Sequence, residues 1–218
     1  LIGADSEVLT TKAWQRWEAT LAEAKSAGNQ VLTPLHSGRT LYELLRQNRT
    51  WDRDAKHAVT LALRELRSLH QRTVSCDRVR EWRLSHGDAT AENVLIDLPS
   101  QRATWFDFDT RHRQHVGIWE RQADDLRALI FSSAACLTPA AYAALTERCV
   151  TATDAGELLA TLRQQLTTRW RRPNTLHLAQ APLSYSEYEA LRGAFIGAID
   201  RTTRERDAAN ARARIRSG

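Results

Sequence analysis

The feature that most constrains the fold is a change of pattern between residues 84 and 109. Short apolar runs, Asn93-Val94-Leu95-Ile96 and Ala103-Thr104-Trp105-Phe106, are separated there by Pro99-Ser100-Gln101. Short apolar runs on either side of turn residues are typical of a small β-hairpin. Polar residues bracket both runs, so the hairpin brings acids and amides together at its ends.

Helical periodicity dominates the rest of the chain. Apolar residues recur at three- and four-residue spacing, which predicts amphipathic helices. The predicted helices cover about residues 13–27, 53–70, 121–135, 139–149, 154–171 and 185–209. We also expect a short strand at Gln30–Leu35, a helix from Leu41 capped by Thr40, and fraying of residues 204–218. A small hairpin among many helices predicts an α+β fold.

Composition bounds the classes of protein that fit. The chain has 218 residues, 42% of them hydrophobic, which suits one domain or two small lobes around a packed core. Cys76, Cys136 and Cys149 include no CxxC pair, which argues for buried thiols in a reducing compartment and against a disulfide framework or a zinc site. No apolar run is long enough to span a bilayer, and no signal peptide opens the chain, so we expect a cytoplasmic protein.

Basic residues exceed acidic ones, and nearly all of them are arginine. The formal net charge is +5 and only three lysines occur, Lys12, Lys25 and Lys56. The excess suits an anionic partner, but a compositional bias towards arginine is an equal alternative. The basic segments 169–172 and 201–216 leave open peripheral contact with the inner face of a membrane, against the alternative of a solvated helix face. No motif for sequence-specific nucleic-acid binding occurs.

The polar residues around the hairpin have the spacing of a phosphoryl-transfer site. His86-Gly87-Asp88 is followed by Asn93, and Asp107-Phe108-Asp109 follows the second apolar run. Phosphoryl transfer from a nucleotide requires one carboxylate to accept the proton of a hydroxyl, and hard oxygen ligands to hold Mg²⁺ on the phosphates. We therefore expect these groups to converge, against the alternative that they are solvated turn residues.

On these residues the chain resembles the protein-kinase-like superfamily, in its small-molecule branch of aminoglycoside and choline phosphotransferases. The resemblance implies that Asp88 is the catalytic base, Asn93 a metal ligand and Asp107 the principal Mg²⁺ ligand, with ATP and Mg²⁺ as cofactors. The segment 106–113, with Trp119 after it, is more narrowly similar to the lipopolysaccharide (Kdo) kinases. The implied acceptor is a small molecule, or a glycan or glycolipid, including anionic ones.

Further segments carry the same resemblance. Residues 31–35 look like the strand and hinge before the kinase C-lobe, and 66–70 like the end of the helix that leads into the catalytic loop. The helix that contains Asp125 is similar to the one whose aspartate braces that loop. The implied architecture is a remnant or part of an N-lobe with its hinge at 1–36, and a mostly helical C-lobe with a helical C-terminal extension at 37–218.

The chain departs from the family pattern in its N-terminal part. Only Gly3 and Gly28 precede Val31, so the sequence contains no glycine-rich phosphate loop. Lys12, with Glu18 or Glu23, is the candidate for the phosphate lysine and its partner. The chain lacks methionine and opens on Leu1, and we expect further N-terminal sequence to precede it. A catalytically degenerate, kinase-like binding module is therefore the alternative to an active enzyme.

Three further residues near the motif have narrower interpretations. His86 is expected to be structural, packed behind the loop. His112 and His115 are expected in a solvated loop, with contact to a substrate phosphate as the alternative. Only fifteen residues separate Asp109 from Asp125, which is too few for a long phosphorylatable loop and disfavours a protein kinase.

Overall fold

The computed structural model shows a mostly helical α+β fold with a small three-stranded antiparallel sheet. The structure describes residues 6–8, 25–27, 30–32, 35–76, 79–113, 115–153, 155–168 and 183–217. Its helices are α1 (Leu41–Asn48), α2 (Arg53–Gln71), α3 (Ile118–Ala134), α4 (Tyr142–Thr151), α5 (Gly156–Thr167) and α6 (Tyr185–Ser217). A single 3-10 turn, Pro139–Ala141, precedes α4.

Nine short strands form four antiparallel sheets among the described residues. They are β1 (Ser6–Val8), β2 (Lys25–Ala27), β3 (Gln30–Leu32), β4 (Arg39–Thr40), β5 (Thr73–Cys76), β6 (Val79–Arg83), β7 (Val94–Asp97), β8 (Arg102–Trp105) and β9 (Thr110–His112). The largest sheet has the order β4-β7-β8, and the others are the pairs β1-β9, β2-β3 and β5-β6.

The predicted hairpin is confirmed as β7 and β8. Val94 pairs with Trp105 at one end and Asp97 with Arg102 at the other. The hairpin is fastened to α2, because the indole Nε1 of Trp105 donates a hydrogen bond to the carbonyl of Ala62 at 3.3 Å. The polar residues at the ends of β7 and β8 are therefore held in a fixed position relative to α2.

One hydrophobic core joins the six helices α1 to α6 and the β7-β8 hairpin. The stripe predicted on α2 is buried, and so are its neighbours: Ala55, Ala58, Val59, Leu61, Ala62, Leu63, Leu66 and Leu69. The first half of α6 contributes Leu191, Phe195, Ala198 and Ile199, all at most 1% exposed. Burial of each such large apolar side chain contributes about 1.5–3 kcal/mol to folding, so this shared core stabilises the packing of the helices and the hairpin.

Most predicted helices are confirmed, with shifted ends, and one predicted helix end is wrong. Lys25–Ala27 is a strand paired with β3, not the end of a helix over 13–27. The Gly28-Asn29 dipeptide explains the error, because it is as typical of a hairpin loop as of a helix end. Helix α6 continues to Ser217, beyond the predicted end at residue 209, through residues of high helix propensity. The fraying expected for 204–218 stays a prediction.

Several predictions fall beyond the described residues. Lys12, Glu18, Glu23 and the segment 169–172 all lie there. Cys136 and Cys149 are buried free thiols, as expected, and burial raises the pKa of Cys136 to about 12. No helix in the part of the chain that the structure describes is long and apolar enough to cross a bilayer.

Candidate active site

The buried carboxylate of Asp125 holds the loop between β6 and β7 in place. This residue of α3 is 1% exposed. Its Oδ2 accepts a hydrogen bond from the backbone N–H of His86 at 2.7 Å, and its Oδ1 accepts one from Gly87 at 2.9 Å. Nε2 of His70, at the end of α2, lies 2.9 Å from Oδ2. The prediction that Asp125 braces the loop is confirmed.

The charge of Asp125 is stabilised where it lies. Burial by itself raises the pKa of a carboxyl group, but the hydrogen bond from His70 and the neighbouring imidazoles outweigh it, so the pKa of Asp125 lies below its usual value. The carboxylate therefore stays ionised at neutral pH and keeps its acceptor oxygens towards the loop.

Gly87 occupies a position that no other residue fits. Its φ is +90°, a region that L side chains rarely adopt, and a Cβ would lie 2.9 Å from the carbonyl oxygen of Thr110. The backbone of β9 thus passes directly over the loop. The glycine allows that approach, which keeps the segment after Asp109 against the loop that carries Asp88.

His86 is structural, as expected. It is completely buried, and its ring lies 5.2 Å from that of Trp105 and 4.5 Å from that of Phe108. The N–H of Asp88 donates to Nδ1 at 3.3 Å, so Nε2 carries the proton and donates to the carbonyl of Phe106 at 2.9 Å. Burial lowers the pKa of His86, which keeps the ring neutral at physiological pH.

Asp88 and Asn93 are in direct contact. Nδ2 of Asn93 donates to Oδ2 of Asp88 at 3.0 Å and to its backbone carbonyl at 2.9 Å. Asp88 is half-buried, and Asn93 is 8% exposed. The amide nitrogen of Asn93 makes both hydrogen bonds to Asp88. The amide oxygen of Asn93 takes no part in this contact.

Asp107 joins the same region in a strained backbone conformation. Its φ is +63°, which is uncommon for a residue with a side chain and recurs at functional sites. The N–H of Phe106 donates to the carbonyl of Asn93 at 3.1 Å, which ties the two segments together. Partial loss of solvent, followed by the charges of Asp109 and Asp88, raises the pKa of Asp107 although its side chain reaches the surface.

A buried polar chain behind the loop was missed by the sequence analysis. Oγ of Ser85 lies 2.9 Å from Nδ1 of His112, whose Nε2 lies 3.3 Å from Oδ2 of Asp124. Arg127 donates to the other oxygen of Asp124. Although desolvation opposes ionisation, Arg127 and His112 together hold the pKa of Asp124 far below its usual value.

The expectation that His112 lies in a solvated loop is therefore wrong, whereas His115 is exposed. His112 is 1% exposed because residues 110–112 form β9, whose alternate side chains point inward. Thr110, Arg111 and His112 are all polar, so the sequence contains no apolar alternation that could have predicted this strand. Ser85 is also 1% exposed, so the order Ser-His-Asp does not make a nucleophile here, because no substrate reaches the hydroxyl.

The side-chain oxygens of Asp107 and Asn93 are of the type that Mg²⁺ prefers. A cation would also relieve the repulsion among the carboxylates of Asp88, Asp107 and Asp109. The donor set thus fits Mg²⁺ in chemistry. Among the described residues, no three His, Cys, Asp or Glu side chains are grouped as metal ligands would be. Any cation here would therefore take its remaining ligands from phosphate and water.

The chain matches no protein-family model, and comparisons with curated proteins and with solved structures found no match.

Proposed function

We propose that the protein is a phosphotransferase of kinase-like architecture that moves the terminal phosphoryl group of ATP to a hydroxyl of a small molecule or sugar. The observation that carries the proposal is the meeting of the two predicted segments: Asn93 bonds to Asp88, and Asp107 lies close enough for the charge of Asp88 to raise its pKa. The three groups that the sequence motif predicts to converge thus share one corner of the hairpin.

Asp88 would accept the proton of the attacking hydroxyl. Its backbone is fixed by the hydrogen bond to His86, and its carboxylate is oriented by Asn93. A base held in this way lowers the barrier by positioning the acceptor and by taking its proton as the new bond forms. Asp125 acts through the backbone and has the role of a positioning residue.

Asn93 and Asp107 would hold the metal. Bound Mg²⁺ would supply neutralisation of the charge that develops on the transferred phosphoryl group. Asp107 contributes a carboxylate and Asn93 an amide oxygen. Because the pKa of Asp107 is raised, protonation competes with the cation at a higher pH than at an ordinary carboxyl group.

A non-catalytic binding module is the second candidate. It is favoured by one observation, the absence of a glycine-rich loop from the sequence before Val31. Phosphates are held in such sites by backbone N–H groups of glycine-rich loops, so a chain without them has a weaker hold on a nucleotide.

Calorimetric titration with ATP, with and without Mg²⁺, tests the metal site. We expect Mg²⁺-dependent binding that Asp107→Asn weakens about tenfold or more, equivalent to about 1.4 kcal/mol. Glu92→Gln is the matched control, because Glu92 is exposed on the same loop and its charge acts on Cys136. Equal affinity for ATP with and without Mg²⁺, or equal affinity of Asp107→Asn and the parent protein, would contradict the proposal.

ADP release in the presence of hydroxylated sugars and aminoglycosides separates the two candidates. For the enzyme, at least one acceptor stimulates release and Asp88→Asn abolishes that release while Mg²⁺-ATP binding persists. For the binding module, ATP binds but no acceptor stimulates release. Circular dichroism of each variant establishes that the fold is retained.

A further inference from the structure

A cavity of about 320 Å³ lies between α2, α3 and the start of α5, separate from the corner that holds Asp88 and Asp107. This volume lies within the range of small-molecule binding sites. Its lining includes Arg83 of β6 and the 9% exposed His70 of α2. It is therefore a candidate site for a ligand of about a dozen non-hydrogen atoms.

The walls of the cavity are mainly apolar. Leu63 and Leu66 of α2 face Leu126 of α3 and Leu158 of α5, and the half-buried indole of Trp119 lies beside them. Such walls favour a hydrocarbon or aromatic group, because each square ångström of apolar surface removed from water contributes about 25 cal/mol.

Among the described residues that line the cavity, the permanently charged side chains are both arginines. Arg67 of α2 and Arg83 of β6 line it, and both side chains are exposed. No Asp or Glu is among the described residues that line it. Guanidinium groups pair with carboxylates through parallel hydrogen bonds, so the charged end of a ligand here is expected to be a carboxylate.

The lining of the cavity includes a residue that contacts the group holding the candidate active-site loop. His70 lines the cavity, and its Nε2 bonds to Oδ2 of Asp125. Gln122, also in the lining, donates to the carbonyl of His70 at 3.1 Å. An occupant that contacts His70 is thus one hydrogen bond away from the carboxylate that fixes His86 and Gly87.

We propose that this cavity binds a small apolar carboxylate, with its hydrocarbon part against the leucines and Trp119 and its charge between Arg67 and Arg83, and that its occupancy stiffens the loop through His70 and Asp125. The proposal does not rest on phosphotransfer. A protein without kinase activity would still bind the carboxylate, so the two failures are distinguishable.

Calorimetry with 4-phenylbutyrate tests the site, with 4-phenylbutan-1-ol and 4-phenylbutylamine as neutral and cationic controls of nearly equal shape. We expect the carboxylate to bind about tenfold more tightly than the alcohol, and the amine to bind most weakly. Equal affinity of the carboxylate and the alcohol, or no saturable binding of the carboxylate up to about 10 mM, would overturn the proposal.

Substitutions locate the binding. Ala152→Phe fills the cavity and is expected to abolish binding of 4-phenylbutyrate. The double variant Arg67→Gln with Arg83→Gln is expected to remove the preference for the carboxylate over the alcohol. Arg102→Gln replaces an exposed arginine on β8 and is the control. It is expected to retain both the binding of 4-phenylbutyrate and the preference for the carboxylate over the alcohol. Unchanged binding and preference in the double variant would overturn the site, even if Ala152→Phe fails to fold.

Hydrogen exchange measures the stiffening. With saturating 4-phenylbutyrate, the N–H groups of His86 and Gly87 are expected to exchange several-fold more slowly, because an ordered His70 keeps Asp125 in place. Unchanged exchange at these two positions, with the cavity occupied, would overturn the coupling.

Discussion

Asp125 is the residue on which the geometry of the candidate site depends most. One buried carboxylate accepts hydrogen bonds from two successive backbone N–H groups and contacts an imidazole on a third segment. An ionised acceptor forms stronger hydrogen bonds than a neutral one, and its loss leaves several buried donors without a partner. The loop, α2 and α3 are therefore coupled at a single point.

Gly87→Ala tests the close approach of β9 to the loop. The new Cβ would lie within 2.9 Å of backbone atoms at Thr110 and Arg111, at a φ of +90°. We expect a loss of about 2 kcal/mol or more in the free energy of unfolding, measured with urea.

The matched control for that substitution is Gly193→Ala in α6. A Cβ at Gly193 meets nothing within 4 Å, so we expect a gain of about 0.5–1 kcal/mol from the helix propensity of alanine. Equal effects at the two glycines would show that the approach of β9 is not close.

At the residue scale, the sequence predicted the polar residues of the candidate site but not the buried polar contacts behind the loop. Asp88, Asn93 and Asp107 were identifiable because their spacing around a hairpin is local information. The contacts of His112 and Asp124 were not, since they join segments twelve residues apart through the burial of β9. A short strand of three residues carries too little alternation to be distinguished from a loop.

At the element scale, α1 links the sheet to the loop. Thr40 ends β4 and caps α1: its Oγ1 accepts from the N–H of Glu43 at 3.2 Å, and Oε2 of Glu43 accepts from the N–H of Thr40 at 3.0 Å. The N–H of Tyr42 then donates to the carbonyl of Ala91 at 2.9 Å. The start of α1 thus holds the loop between Asp88 and Asn93 at Ala91, in addition to the contacts of Asp125 with His86 and Gly87.

Thr40→Ala removes this capping box. We expect a loss of about 1 kcal/mol in the free energy of unfolding. Thr167→Ala is the control, because Thr167 is exposed and its hydroxyl bonds to a carbonyl of its own helix. A loss as large for Thr167→Ala, measured by the same urea titration, would contradict the role of the cap.

Elements were predictable where a periodic pattern was long. The apolar stripe of α2 and the turn residues between β7 and β8 specify those elements locally, and both are confirmed. The hairpin β5-β6 and the pair β1-β9 were not predicted. The pairing of Ser6–Val8 with Thr110–His112 joins residues about a hundred positions apart, which no local pattern encodes.

At the scale of the whole molecule, the buried titratable groups predict how stability depends on pH. The pKa of Asp125 is lowered by folding, so its contribution is present above its unfolded pKa of about 3.8 and is lost as the pH falls through the lower folded value. Neutral, buried His86 also has a lowered pKa, so stability decreases as the pH falls below 6.5, where only the unfolded chain gains the proton.

Urea unfolding between pH 7.5 and pH 3 checks this dependence. We expect the free energy of unfolding to decline below pH 6.5 and again below pH 4, by at most about 1.4 kcal/mol per pH unit for each group. Asp107 acts in the opposite direction, because its folded pKa is raised, and the Asp107→Asn background removes that contribution. Asp125→Asn should reduce the slope below pH 4. An equal slope below pH 4 in Asp125→Asn and in the parent protein would contradict the assignment of that slope to Asp125.

Helix α6 has a thermal consequence that its length imposes. It has 33 residues, and its buried anchors end at Thr202. Arg206 still bonds to the carbonyl of Thr153, but residues 207–214 are exposed on every side. That last segment continues an already nucleated helix through exposed residues, so it buries little surface that could make its melting cooperative with the core. Ellipticity at 222 nm should therefore decline gradually on warming, before the core unfolds, while tryptophan fluorescence stays constant because residues 203–218 contain no tryptophan.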